Sequence, residues 1–138
     1  PRVINIASAA GRLAILRSPE ILGAVTSSSL VESQLEQLMR DFVRDVEAGT
    51  HAEKGWPNTC YGLSKLGIIA LTRILARDEP AIMVNSVDPG YCATDQNANQ
   101  GFLSAAYGAD TPLALALLPA DAASATGKHY HERAEIPW

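Results

Sequence analysis

Cysteine is nearly absent from this 138-residue chain: Cys60 and Cys92 are the only two, and no CxxC pair exists. That spacing excludes a disulfide scaffold and a thiolate zinc site, and points to two reduced thiols in a cytoplasmic protein. Long apolar runs are also missing, so no segment reaches the ~20 residues of a membrane-spanning helix. Charge of one sign never accumulates. With 11 Lys and Arg against 15 Asp and Glu, the net charge is −4, and nothing suggests a nucleic-acid or membrane surface. Gly62-Leu63-Ser64-Lys65 fails the GxSxG pattern and no SxxK occurs, which argues against a serine hydrolase. His129 and His131 lack a carboxylate or thiol partner at ligand spacing, so no metal site is expected and the pair reads as partly exposed and structural. Internal repeats and low-complexity tracts are likewise missing.

What remains is a globular balance, 47% apolar and 19% charged, in a length that suits one domain. Arg2-Val3-Ile4-Asn5-Ile6-Ala7 is short, β-branched and almost continuously apolar, which predicts a strand buried on both faces of a parallel sheet. Ala81 to Val87 is a second such strand, closed by Asp88-Pro89-Gly90, and Lys128 to His131 is a weaker third. Between them the periodicity is helical. Val31, Leu35, Leu38, Phe42 and Val46 recur at spacings of three and four, with a Ser29–Glu32 capping box predicted at the start and Gly49 at the stop. A second helix is predicted from about Thr59 to Arg77. A third covers roughly Ser104 to Leu118, with Pro112 expected to kink it or reset its start. Ala93 to Phe102, rich in Asn, Gln and Gly, reads as a mobile loop. Strands alternating with helices define an α/β fold.

Tyr61-Gly62-Leu63-Ser64-Lys65 carries the chemistry. Positions i and i+4 share a helix face, so a phenol and an ammonium can meet there. A free phenol ionises near ~10, and a neighbouring cation draws it toward the working range of a proton donor. A lone YxxxK motif is weak. Its context is stronger: one strand runs into Ser8, the Tyr helix follows, and a second strand ends in Asn85-Ser86-Val87-Asp88-Pro89-Gly90. In open α/β sheets ligands bind beyond the carboxyl ends of strands, where all three motifs fall.

This ordered set resembles the short-chain dehydrogenase/reductase family, and in particular its monomeric, NADPH-dependent carbonyl reductases. Ser8 and Tyr61 are 53 positions apart, and the interval holds an extra segment, Leu38-Met39-Arg40-Asp41-Phe42-Val43 and then Lys54-Gly55-Trp56-Pro57, like the helical insertion of that subfamily. Pro89-Gly90-Tyr91-Cys92-Ala93-Thr94-Asp95, Asp110-Thr111-Pro112 and the terminal Trp138 extend the likeness along nearly the whole chain. The resemblance implies the C-terminal part of a Rossmann-type doubly wound parallel sheet. Residues 1–138 would then be the catalytic half of an NAD(P)-binding domain, 29–50 its insertion, with the N-terminal strands missing.

The resemblance also implies roles. Tyr61 would be the general acid, Lys65 would tune it and hold the nicotinamide ribose, and Ser8 would orient the substrate oxygen. Pro89 and Gly90 would shape the turn over the nicotinamide, with the Cys92 backbone and the Thr94 hydroxyl on the carboxamide and phosphates. Trp56 and Tyr91 would wall the substrate pocket. NADP(H) would be the cofactor and a ketone, aldehyde or quinone the substrate of a monomeric cytoplasmic reductase. Departures are Ala7, where a second Ser is common, Val87-Asp88, where some relatives carry cysteines, and Ala93, where Arg is common. No GxxxGxG turn and no Asn-Ala-Gly segment occur. The chain, without an initiator Met, reads as entered mid-domain, and alone is expected to be inactive. The alternative is a truncated, non-catalytic product with a binding role or none.

Overall fold

A computed structural model describes residues 1–119, 122 and 125–138. The elements run in order β1 (Arg2–Ile6), α1 (Pro19–Thr26), α2 (Glu32–Glu47), α3 (Cys60–Asp78), β2 (Met83–Val87), α4 (Ala105–Ala116), β3 (His129–His131) and β4 (Ala134–Glu135). The sheet has the order β1-β2-β3-β4. β1 and β3 pair parallel to β2, and β4 turns back antiparallel on β3. Parallel neighbours require long crossovers: α1 to α3 fill the first and α4 the second. α3 and α4 both lie on β1 and β2 without an extensive contact between them, which puts one on each face.

β2 is buried, with Val84, Asn85, Ser86 and Val87 all shielded. β1 differs from the expectation of burial on both faces: Val3 and Ile6 are 38% and 47% exposed. Its apolar pattern suits an interior strand, yet among the described residues it has a neighbour on one side only. Asn5 reaches α3, donating to the Thr72 hydroxyl at 2.9 Å. On β2, the Asn85 side-chain oxygen takes the Lys128 N–H at 3.0 Å and its amide reaches Ala125, fixing the entry to β3.

The main core lies between α1, α2 and α3, where Val25, Leu35, Phe42, Leu63, Leu66, Ala70 and Ile74 pack together. Each of these larger side chains, Ala70 aside, contributes roughly 1.5–3 kcal/mol of hydrophobic free energy. α1 was not anticipated, although its signals are plain: Ser18 caps the Ile21 N–H at 3.3 Å and Pro19 occupies the first turn. α2 starts at Glu32 rather than at Ser29. Its end is closed by Gln34, whose side-chain oxygen takes the Val31 N–H at 3.1 Å, in place of the Ser29–Glu32 box. Gly49, at φ 70°, follows its C-cap Ala48. α4 continues through Pro112 instead of restarting there.

Candidate active site

Three backbone approaches assemble the site. Thr59 caps α3 by accepting the Gly62 N–H at 2.9 Å, which sets Tyr61 in the first turn of the helix. After β1 the chain makes a 3-10 turn (Ala9–Gly11) that lies hard against α3; a Cβ on Gly11 would fall 2.5 Å from the Leu66 nitrogen and 2.6 Å from the Lys65 carbonyl carbon. Only glycine permits that approach, and it brings Ser8 alongside the YxxxK face. After β2, Gly90 turns the chain at φ 78°, a left-handed conformation.

These segments enclose one groove of about 650 Å³ lined by Ser8, Tyr61, Lys65, Pro89, Gly90, Tyr91, Cys92 and Thr94, with Asp88 and Asn97 beside them. Tyr61 is 50% exposed, its ring open to the groove. The Lys65 ammonium lies 5.6 Å from the centre of the Tyr61 ring and donates to the Ile6 carbonyl at 3.1 Å. Ser8 Oγ accepts the Ala10 N–H at 3.2 Å, so its own hydrogen is free for another acceptor. Tyr91 meets Phe102 edge-on, ring centres 5.7 Å apart.

Asn97 was missed by the sequence reading. Its side-chain oxygen takes the Thr94 N–H at 3.2 Å and its amide donates to the Cys92 carbonyl at 2.9 Å. With Ala93 N–H on Leu103 at 2.8 Å, it ties together a segment read as a plain mobile loop. The signal was the Thr94-x-x-Asn97 pattern, a side-chain amide three residues after a polar cap. The Cys92 N–H is donated to Gly90 at 3.1 Å, so both backbone polar groups of Cys92 already have partners within the segment.

Trp56 does not belong to this groove. It is 4% exposed, packs edge-on against Phe42 with ring centres 5.6 Å apart, and donates its indole N–H to Asp45 at 3.0 Å. Asp45 also receives the Lys54 ammonium at 2.7 Å, and that bond, more than any other contact, holds its carboxyl below the usual range. The insertion therefore uses Trp56 to close its own core. An aromatic beside a Gly-Pro corner reads equally well as a pocket wall or a core plug, and burial decides for the plug. His129 is likewise buried, not partly exposed, with Nδ1 on the Ser86 hydroxyl at 2.9 Å. His131 instead joins Asp88 at the groove's edge. Among the described residues no cluster of three or more His, Cys, Asp or Glu could hold a metal, and no helix is long and apolar enough to cross a membrane.

A Ser, a Tyr and a Lys thus line one groove beyond the carboxyl ends of parallel strands, under a Pro-Gly turn. The chain is 42% identical over 127 residues to a (+)-neomenthol dehydrogenase of Capsicum annuum, covering 90% of this chain and 40% of that protein. It is 39% identical over 148 residues to carbonyl reductase [NADPH] 3 of Homo sapiens, covering 99% and 52%. Among solved structures, salutaridine reductase from Papaver somniferum superposes with a TM-score of 0.86 at 29% identity, covering 94% of this chain and 45% of that one. No family model matches. The chain belongs to the short-chain dehydrogenase/reductase family, among relatives that are carbonyl reductases and plant reductases. It spans about half the length of the curated relatives it matches.

Proposed function

We propose that this chain is the catalytic half of an NADPH-dependent carbonyl reductase acting on ketones, aldehydes or quinones, with Tyr61 as general acid. The observation that carries the reading is the meeting of Ser8, Tyr61 and Lys65 in one groove beneath the Pro89-Gly90 turn. The donor set fits the nicotinamide and ribose end of such a cofactor. Lys65 is the one cation among the groove-lining residues and spends one of its three hydrogens on Ile6, leaving two for ribose hydroxyls. Beyond it, Thr94 and Cys92 line the same groove and are the residues that would meet the carboxamide and phosphates. When bound, the cofactor supplies the hydride.

The protein's own part is positioning and proton transfer. Ser8 donates its free hydroxyl hydrogen to the substrate oxygen and fixes its direction. Tyr61 gives its phenolic proton to that oxygen as negative charge builds there. The Lys65 ammonium, beside the ring, opposes the negative charge left on the phenol. Tyr91, half-exposed at the groove's mouth, is the wall that the substrate's carbon frame meets. The name carbonyl reductase [NADPH] borne by relatives supports the choice of cofactor.

Tyr61→Phe keeps the ring and removes the proton. It is expected to lower kcat in NADPH-dependent carbonyl reduction by at least ~10², the scale of lost general acid catalysis, with cofactor KM little changed. Undiminished turnover in that variant would remove Tyr61 from the role.

A further inference from the structure

The departure at Asp88 leads to a second layer of the site. Asp88 is only 8% exposed, yet it lines the groove. One oxygen accepts the Gly90 N–H at 3.1 Å, bridging across Pro89. The other lies 3.3 Å from His131 Nδ1, which is also 3.1 Å from the Asp88 carbonyl. Both of those neighbours are acceptors, so the hydrogen must sit on Nδ1 and point at Asp88.

His131 ends β3, and the turn that follows it is strained. Glu132 and Arg133 both have positive φ, 48° and 63°, though neither is glycine. Such conformations persist where surroundings over-determine them, and here α4 does so three times. The Tyr107 hydroxyl donates to Glu132 at 2.7 Å, the Thr111 hydroxyl accepts the Arg133 N–H at 3.1 Å, and the Arg133 guanidinium meets Asp110 at 2.7 Å. A continuous chain of bonds thus runs from α4 through the β3–β4 turn to His131, Asp88 and the backbone of Gly90.

We propose that Asp88 and His131 are positioning residues, and that the β3–β4 turn is the buttress through which they hold Pro89-Gly90 over the reacting end of the groove. The proposal rests on the reading of that groove as the cofactor and substrate site. Asp88 touches no reactant in this role; it acts through Gly90, whose left-handed φ suits the turn that the Asp88 bond closes.

The test compares Asp88→Ala, Asp88→Asn and His131→Ala in the full-length reductase, with Tyr61→Phe beside them. All are assayed well below the thermal midpoint of each variant. Loss of one positioning bond is expected to raise the NADPH KM about 3- to 10-fold in Asp88→Ala, the scale of one net hydrogen bond. Asp88→Asn keeps an acceptor for Gly90 but turns its amide NH2 toward the His131 Nδ1–H, so it should recover part of that loss, which a general weakening of the fold would not do. The Asp88→Ala, His131→Ala double variant should lose little more than Asp88→Ala alone, because both act in one chain of bonds. If Asp88→Ala leaves KM and kcat unchanged, or the two losses simply add, the buttress is refuted. If Tyr61→Phe retains full turnover, it is the reading of the groove that fails, and the two failures are told apart.

Discussion

One substitution, made at two glycines, should have opposite signs. At Gly11 an added methyl would sit 2.5 Å from the Leu66 nitrogen and 2.6 Å from the Lys65 carbonyl carbon. Both belong to the backbone of α3, which cannot swing aside as a side chain can. The shortfall from ordinary contact is roughly 1 Å, so the turn must retreat by that much, at a cost of about 1–3 kcal/mol for an overpacked contact. Ser8 rides on that turn, and a displacement of ~1 Å at a positioning group can cost ~10² in rate. At Gly23, inside α1, a Cβ would meet nothing within 4 Å. There Gly→Ala removes unfolded-state freedom and should stabilise by about 0.5–1 kcal/mol. Urea denaturation of both variants, with kcat/KM for carbonyl reduction measured in the full-length protein, separates the cases. The expected pattern is a lower midpoint and a large activity loss for Gly11→Ala, against a raised midpoint and intact activity for Gly23→Ala. Full activity and stability in Gly11→Ala would refute the claim that close approach to α3 places Ser8.

Trp56→Ala should remove about 3–5 kcal/mol of stability, as for other buried aromatics, while the folded fraction keeps its carbonyl KM; altered substrate preference at undiminished stability would return Trp56 to the pocket. Burial pushes the His129 imidazole below its ordinary value near 6.5, so the unfolded chain takes up a proton that the folded chain resists. Its contribution is therefore complete above about pH 6.5 and is lost as pH falls through the folded value. Urea midpoints should fall as pH drops below about 6.5, and an equal drop in His129→Gln would show that another group is responsible. Finally, α2 packs against α3, with Met39 3.1 Å from where a Gly67 Cβ would stand, so that side of the helix is taken. The full-length protein should be a monomer by light scattering at micromolar concentration, and a stable dimer there would overturn this.

Much of this architecture could be read in the residues, for identifiable reasons. α3 was legible because its cap, its apolar face and the YxxxK pair coincide within a few positions. β2 was legible because a fully buried strand must be apolar throughout, apart from Asn85 and Ser86, which find partners. Exposure of β1 was not legible, since local pattern reports what a strand is built for rather than how many neighbours it has. Trp56 went to the wrong place for a similar reason. Its true partners, Phe42 and Asp45, are 14 and 11 positions away, and only the fold of the insertion brings them together. Asn97 and the Asp88–His131 contact depend on side-chain directions that no periodicity encodes.

Where, then, does the precision of the site reside? Tyr61, its proposed acid, is half-exposed and held mainly by the start of its helix. Ser8 and Lys65 are fixed far more tightly. Ala7 N–H donates to Val87 at 2.7 Å, Lys65 clamps the Ile6 carbonyl, and Gly11 presses the following turn onto α3. The end of β1 is thus constrained by its neighbouring strand, by the Lys65 side chain and by the α3 backbone within five residues. Lys65 ties its ammonium to the strand through one hydrogen, and in the proposed mechanism the same ammonium would serve the groove with the other two. Under the proposed mechanism, a site built this way would set the substrate oxygen and the cation first. The phenol would need only to reach them, which an exposed side chain on the first turn of a well-capped helix can do.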